Sequence, residues 1–315
     1  MSNDKLLDIK NLTVQYRGDV RTTTAVDDVS FGIAEGEIFG LAGESGCGKS
    51  TIANTILRLL KYPAEVAGGS IMFNGRDVLA LNGEELRQFR WREVAMVFQS
   101  AMNSLNPVLT IGEQMRDIFT AHLPVTKREA DARCGELLEM VQIDQGRLKS
   151  FPHQLSGGMR QRVVIAMAVA LRPRMLILDE PTTALDVVVQ QEIMAEIKTL
   201  QAELGFSVLF ITHDMSLMVE LSHQMAVMYS GRIVEQGPAS TLHHRAAHLY
   251  TRALMNAFPP ITGERVELRG LGEGVRLRRI DNLAPVGPNH WAAPISDEDR
   301  MSLAQQSTGA EGGQQ

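Results

Sequence analysis

Two hydrophobic periods alternate along this chain. Period-two runs at 6–16 and 25–33 predict an antiparallel pair of strands joined by the polar segment 17–24. The turn Glu35-Gly36-Glu37 leads into a short apolar run at 38–41, which reads as a buried strand, and 52–60 has the spacing of a helix. A strand from Gly69 with Asn74-Gly75 as its turn, a charged helix over 83–90 and a strand over 94–98 continue a mixed pattern. Between 100 and 151 the character changes, because 111–122 and 126–141 both show helical spacing and no strong strand separates them. Alternation then resumes with helix 158–171, strand 175–178, helix 187–204, strand 207–211, helix 215–222 and strand 224–228. Asp186 is placed to cap the long helix and Gly205 to end it.

This is an α/β pattern: a parallel-rich sheet with helices on both faces, an antiparallel β subdomain, and an α-helical subdomain inserted at about 100–157. After Gly237 the signal weakens. A last helix is expected over 248–257, and a small C-terminal extension over 259–295 with short strand-like pieces and five arginines between Arg265 and Arg279. A disordered tail is expected over 296–315. The first 258 residues form the main unit in this reading.

Composition narrows the function. A chain of 315 residues with 44% hydrophobic positions can build a sizeable core, and a net charge of −6 argues against a broad nucleic-acid footprint. The two cysteines, Cys47 and Cys134, lie far apart and suggest neither a disulfide framework nor a metal knuckle. The charged N-terminus lacks the apolar core of a signal peptide. The longest apolar stretch, 163–171, is half of what a bilayer span needs.

Gly43-Glu44-Ser45-Gly46-Cys47-Gly48-Lys49-Ser50-Thr51 fits the phosphate-loop pattern, in the strand-loop-helix context the motif requires. Its glycines let successive N–H groups converge on a phosphate, and the helix that follows points its positive end at the same anion. Lys49 would reach the β- and γ-phosphates, Ser50 would ligate Mg²⁺ and Thr51 would touch the α-phosphate of ATP. Cys47 reads as a small loop residue. Asp179 and Glu180 follow a fully apolar strand at the edge where α/β sheets bind ligands. Asp179 suits the Mg²⁺ shell, and Glu180 suits the orientation of an attacking water. Ser156, Gly157 and Gly158 open a helix just before that strand, which provides a second anion site in a chain with one phosphate loop.

Leu155-Ser156-Gly157-Gly158-Met159-Arg160-Gln161 resembles the signature of ATP-binding cassette (ABC) proteins. The order of Gln99, Ala184-Leu185-Asp186 and His213 around the acidic pair agrees with that family over about residues 5–258. The resemblance implies a P-loop, RecA-like core. It makes Gln99 the residue that senses Mg²⁺ and water and communicates with a membrane partner, His213 the switch histidine at the γ-phosphate, and Tyr16 an aromatic platform for adenine. It also implies that the phosphate loop of one cassette and the Ser-Gly-Gly of another close on the same ATP.

Three stretches narrow the resemblance: Val97-Phe98-Gln99 through Asn106-Pro107, Phe151-Pro152-His153-Gln154, and Pro181 through Val189. They are similar to ATPases of importers for dipeptides, oligopeptides and nickel, a group that includes some oligosaccharide importers. That implies an ATPase at the cytoplasmic face of the inner membrane. Its expected partners are a second, different cassette, two transmembrane permeases and, indirectly, an external solute-binding protein. Residues 235–315 contain no cysteine, so the iron–sulfur cluster carried by many members of this group is not expected. The alternative, a soluble ABC-type ATPase acting on nucleic acid or ribosomes, is disfavoured by the negative net charge, the single cassette and the absence of sustained heptads.

Overall fold

In a computed structural model, residues 5–18, 21–99, 101–182, 185–256 and 282–294 are described. Thirteen-residue strands β1 (Lys5–Arg17) and β2 (Thr22–Ala34) pair antiparallel; β4 (Ala64–Phe73) and the short β5 (Arg76–Asp77) complete a four-stranded sheet ordered β2-β1-β4-β5. The second sheet runs through β3 (Ile38–Gly43), β6 (Val94–Val97), β7 (Met175–Asp179), β8 (Ser207–Ile211), β9 (Gln224–Tyr229), β10 (Arg232–Pro238), β11 (Ala284–Gly287) and β12 (His290–Ala292). Its order is β11-β12-β10-β9-β3-β8-β7-β6; the five strands from β9 to β6 are parallel and the other three antiparallel.

The parallel strands are apolar on both faces because helices cover both. In β7, Leu176 and Leu178 face a core shared with α3 (Ile111–His122), α4 (Lys127–Met140), α5 (Gly157–Val169) and α6 (Val187–Leu204). Met175 and Ile177 face a second core shared with α1 (Lys49–Ile56), α2 (Gly83–Arg92) and the antiparallel sheet. Thr110 with Glu113, and Thr126 with Glu129, form capping boxes that start α3 and α4. Asp186 caps α6 through the Val189 N–H at 3.0 Å, and Gly205 ends it.

The chain departs from the sequence-based expectation in four places. The helix expected over 52–60 begins earlier and stops at Ile56, because Arg58 turns left-handed (φ 54°) and its guanidinium binds the carbonyls of Val78 and Leu81. Strand β4 begins at Ala64, not Gly69. Strand β10 and α8 (Ala239–Arg245) lie in a region that carried no predicted element, and the last helix is α9 (Leu249–Asn256). Of the expected extension, residues 282–294 are described, and their hairpin β11–β12 joins the edge of the large sheet through β10. The arginines at 265–279 and the tail at 296–315 lie outside the described residues. Among the described residues no helix is long and apolar enough to cross a membrane.

Candidate active site

Parallel strands β3, β8, β7 and β6 lie side by side, so the loops at their C-terminal ends converge on one edge. The phosphate loop leaves β3 at Gly43 with φ 146°. A Cβ there would lie 2.3 Å from the Met228 carbonyl oxygen, so conformation and neighbour both demand glycine. Glu44, Ser45 and Gly46 are exposed, whereas Cys47, Gly48 and Lys49 are buried. Lys49 Nζ folds back on its own loop, donating to Gly43 O at 2.7 Å and Glu44 O at 2.8 Å, and lies 3.6 Å from Cys47 Sγ. Burial pushes the Cys47 thiol up against the opposing charge of Lys49, which keeps it protonated and inert. The loop is braced from behind: Cys47 O accepts from the Gly231 N–H at 3.0 Å, and the Tyr250 hydroxyl accepts from the Glu44 N–H at 3.2 Å. Thr51 sits in the first turn of α1, its carbonyl accepting from the Thr55 hydroxyl at 2.6 Å.

Ser50, one residue past the lysine, donates its hydroxyl to Asp179 Oδ1 at 3.1 Å. Asp179 is buried at the end of β7. Burial raises its pKa, the Ser50 bond lowers it, the adjacent Glu180 raises it and Lys49 lowers it, with a net rise. A bound cation would reverse that balance. Glu180 leaves the strand in a left-handed conformation (φ 47°), its N–H held by Ile211 O at 2.8 Å. Such strain collects at functional sites. Its carboxylate accepts from Gln99 Nε2 at 2.9 Å and lies 3.2 Å from His213 Nδ1. Gln99 follows β6 and His213 follows β8, so three adjacent strands deliver these side chains to one carboxylate. Asp214, next to the histidine, caps α7 (Met215–Leu221) through the Ser216 and Leu217 N–H groups.

The remaining sequence-derived residues lie elsewhere. The Ser156 hydroxyl caps α5 by accepting from the Met159 N–H at 3.2 Å, with Gly157 and Gly158 in the first turn. Gly157 lies beside Leu185 and Met102, and among the described residues no hydrogen bond joins this helix start to the phosphate loop. Tyr16 sits near the end of β1, opposite Thr23 and Ala64, with its side chain exposed. Ala184 lies outside the described residues. Sequence reasoning missed Tyr250, the buried tyrosine behind the loop; one aromatic residue in a short terminal helix carries no pattern that could single it out.

The profile of the ABC transporter family matches residues 26–183. The chain is 44% identical over 285 residues to a probable peptide ABC transporter ATP-binding protein of Sinorhizobium fredii, covering 90% of this chain and 83% of that one. It is 43% identical to the dipeptide transport ATP-binding protein DppD of Haemophilus influenzae, covering 88% and 84%. Among solved structures, an ATP-binding cassette captured as a dimer in a post-hydrolysis state with ADP and Pi superposes with a TM-score of 0.66 at 30% identity, over 74% of this chain and 98% of that one. Loop, acidic pair and fold thus meet in a chain that belongs to the ABC transporter family, as one of its ATP-binding and ATP-hydrolysing cassettes.

Proposed function

We propose that this chain energises a peptide importer by hydrolysing ATP at the edge formed by β3, β8, β7 and β6, in a pairwise assembly with a second cassette of different sequence. The observation that carries the chemistry is the Glu180 carboxylate, held by Gln99 and beside His213 on the same edge as the Ser50–Asp179 pair. The names of relatives from two bacteria specify peptide or dipeptide transport and support the substrate class. An oligosaccharide substrate has no such support.

The phosphates are received by the N–H groups of the phosphate loop and by the N-terminus of α1. Lys49 exchanges its two loop carbonyls for phosphate oxygens, a short move of a group already poised there. Ser50 and Asp179 fit Mg²⁺, since a hydroxyl and a carboxylate 3.1 Å apart are hard oxygen donors and the Asp179 carboxyl is costly to leave buried without a cation. When bound, that ion supplies charge neutralisation on the phosphates. Glu180 orients a water and accepts its proton as the water oxygen bonds to the γ-phosphorus and the bond to the β-phosphate oxygen breaks. His213 and Gln99 hold the carboxylate, and each is placed to register the presence or loss of the γ-phosphate. Tyr16, exposed at a strand end, offers a face to adenine. Ser156, Gly157 and Gly158 lie apart from the phosphate loop, which suits a helix N-terminus that completes the partner's nucleotide site.

Phe98, Val108 and Leu109, flanking the segment that follows Gln99, are exposed at 45%, 75% and 39%. Apolar side chains displayed beside the sensor residue suit contact with a membrane permease. The assembly would place this chain peripherally, on the cytoplasmic side. The test is to tag the chain, solubilise its own membranes gently and identify what co-purifies. Two polytopic permeases with a second cassette are expected, whereas recovery only from the soluble fraction with ribosomal or DNA-bound partners would overturn the transport reading.

A further inference from the structure

The peptide between Gly43 and Glu44 is gripped at both ends. Its carbonyl accepts from Lys49 Nζ at 2.7 Å, and its N–H donates to the Tyr250 hydroxyl at 3.2 Å. Lys49 must release its end to meet a nucleotide, but nothing in that step requires the tyrosine to move. Tyr250 is 2% exposed and its ring meets Tyr229 edge-on, with centroids 4.8 Å apart. Burial raises its hydroxyl pKa, so it stays protonated while accepting from Glu44.

The tyrosine is itself anchored by a buried polar chain. The Tyr250 N–H donates to His248 Nδ1 at 3.2 Å, and burial pushes the His248 pKa down to about 4, which leaves that nitrogen free to accept. The N–H groups of Ala247 and His248 donate to Glu235, at 2.7 and 3.1 Å. Glu235, fully buried in β10, is met at 2.7 Å by His290 Nε2 from β12. A carboxylate removed from water persists only with such partners. The chain of contacts therefore runs from the C-terminal hairpin to the phosphate loop: His290, Glu235, the start of α9, Tyr250, Glu44.

We propose that Tyr250 is a positioning residue for ATP turnover, holding the Gly43–Glu44 peptide while Lys49 changes partners, and that the β11–β12 hairpin sets it through His290 and Glu235. This rests on the nucleotide reading of the loop. The hairpin thereby becomes part of the ATPase, a role distinct from edge protection of the sheet.

The test uses the complex purified from its membrane. Nucleotide binding to the wild type is measured first, and a wild type that does not bind ATP overturns the nucleotide reading and this inference together. Tyr250→Phe keeps the ring and its packing but removes the acceptor. The KM for ATP is expected to rise about three- to tenfold, the value of one hydrogen bond, with kcat changed less and the thermal midpoint retained. His290→Ala is expected to move KM the same way by a smaller factor. In the Tyr250→Phe background, His290→Ala is expected to add nothing further, because both act through one hydroxyl. An unchanged KM in Tyr250→Phe overturns the positioning role. A His290→Ala effect that persists undiminished in the double variant overturns the path through Tyr250.

Discussion

Helix α6 buries a carboxylate in a poor setting, and the cost is measurable. Glu196 is 6% exposed, and neither of its oxygens has a donor in hydrogen-bonding geometry, although Arg162 Nη1 stands 3.2 Å from Oε2. Burial raises its pKa from 4.5 to about 7, with Arg162 opposing and Glu192 adding to the rise. Between those two values the native state keeps a proton that the unfolded chain has released. The stabilising proton is therefore fully effective below pH 4.5, and its contribution is lost as pH climbs to about 7. At 1.36 kcal/mol per pH unit the loss amounts to about 3 kcal/mol. Glu196→Gln removes the titration while keeping shape and volume. Urea unfolding of both chains from pH 5 to pH 8 is expected to show the variant gaining on the wild type by up to about 3 kcal/mol, with the difference levelling off above pH 7. Other titrating groups, His248 among them, cancel in that difference. Parallel stability curves for the two chains would refute the reasoning, because a carboxylate adequately paired by Arg162 would show no such slope.

The remaining predictions concern the candidate active site. Glu180→Gln keeps an oxygen that can accept from Gln99 but removes the base; ATP hydrolysis should fall about 10²–10⁴-fold with ATP still bound and the paired cassettes trapped closed. Turnover near the wild-type rate would end the assignment of Glu180 as base. Lys49→Ala should abolish hydrolysis and weaken nucleotide binding about ten- to a hundredfold, the worth of a charge-assisted contact, as read by equilibrium titration. Gly43→Ala forces a Cβ to within 2.3 Å of the Met228 carbonyl at a φ that disfavours side chains. It should cost about 1–3 kcal/mol in denaturant unfolding and displace the phosphate loop enough to lose ATP binding.

The candidate site was legible in the sequence wherever one local element presents it. A glycine-rich loop between strand and helix, and two acids at the end of an apolar strand, carry their chemistry and their place in the fold within ten residues. Gln99 and His213 needed more, since only the order of parallel strands brings them to Glu180, and the family resemblance supplied what periodicity could not. Elements were missed where burial and polarity disagree. Strand β10 hides because Glu235, wholly buried, breaks its apolar run; the residue that makes it acceptable, His290, lies 55 positions away. The start of β4 hides for a backbone reason. Gly69, which reads as the first residue of the strand, lies inside it at φ 90°, where the strand crosses an irregularity in β1 so closely that a Cβ would sit 2.5 Å from Asn11 O.

The miss at β10 shares a cause with the contacts that support the phosphate loop. The strand obscured by a buried acid is the one that anchors α9, and α9 carries the tyrosine that reaches Glu44. A polar residue can be buried in a strand only if distant partners satisfy it, and such partners tie distant segments together. Where hydrophobic patterning fails at β10, hydrogen bonds link the C-terminal hairpin to the phosphate loop. Replacing Glu235 with an apolar residue of similar size would make β10 easier to read and would strand His290 and two backbone N–H groups without an acceptor. On that argument the carboxylate is retained for the connection it makes, and its effect should be sought in nucleotide handling as well as in stability.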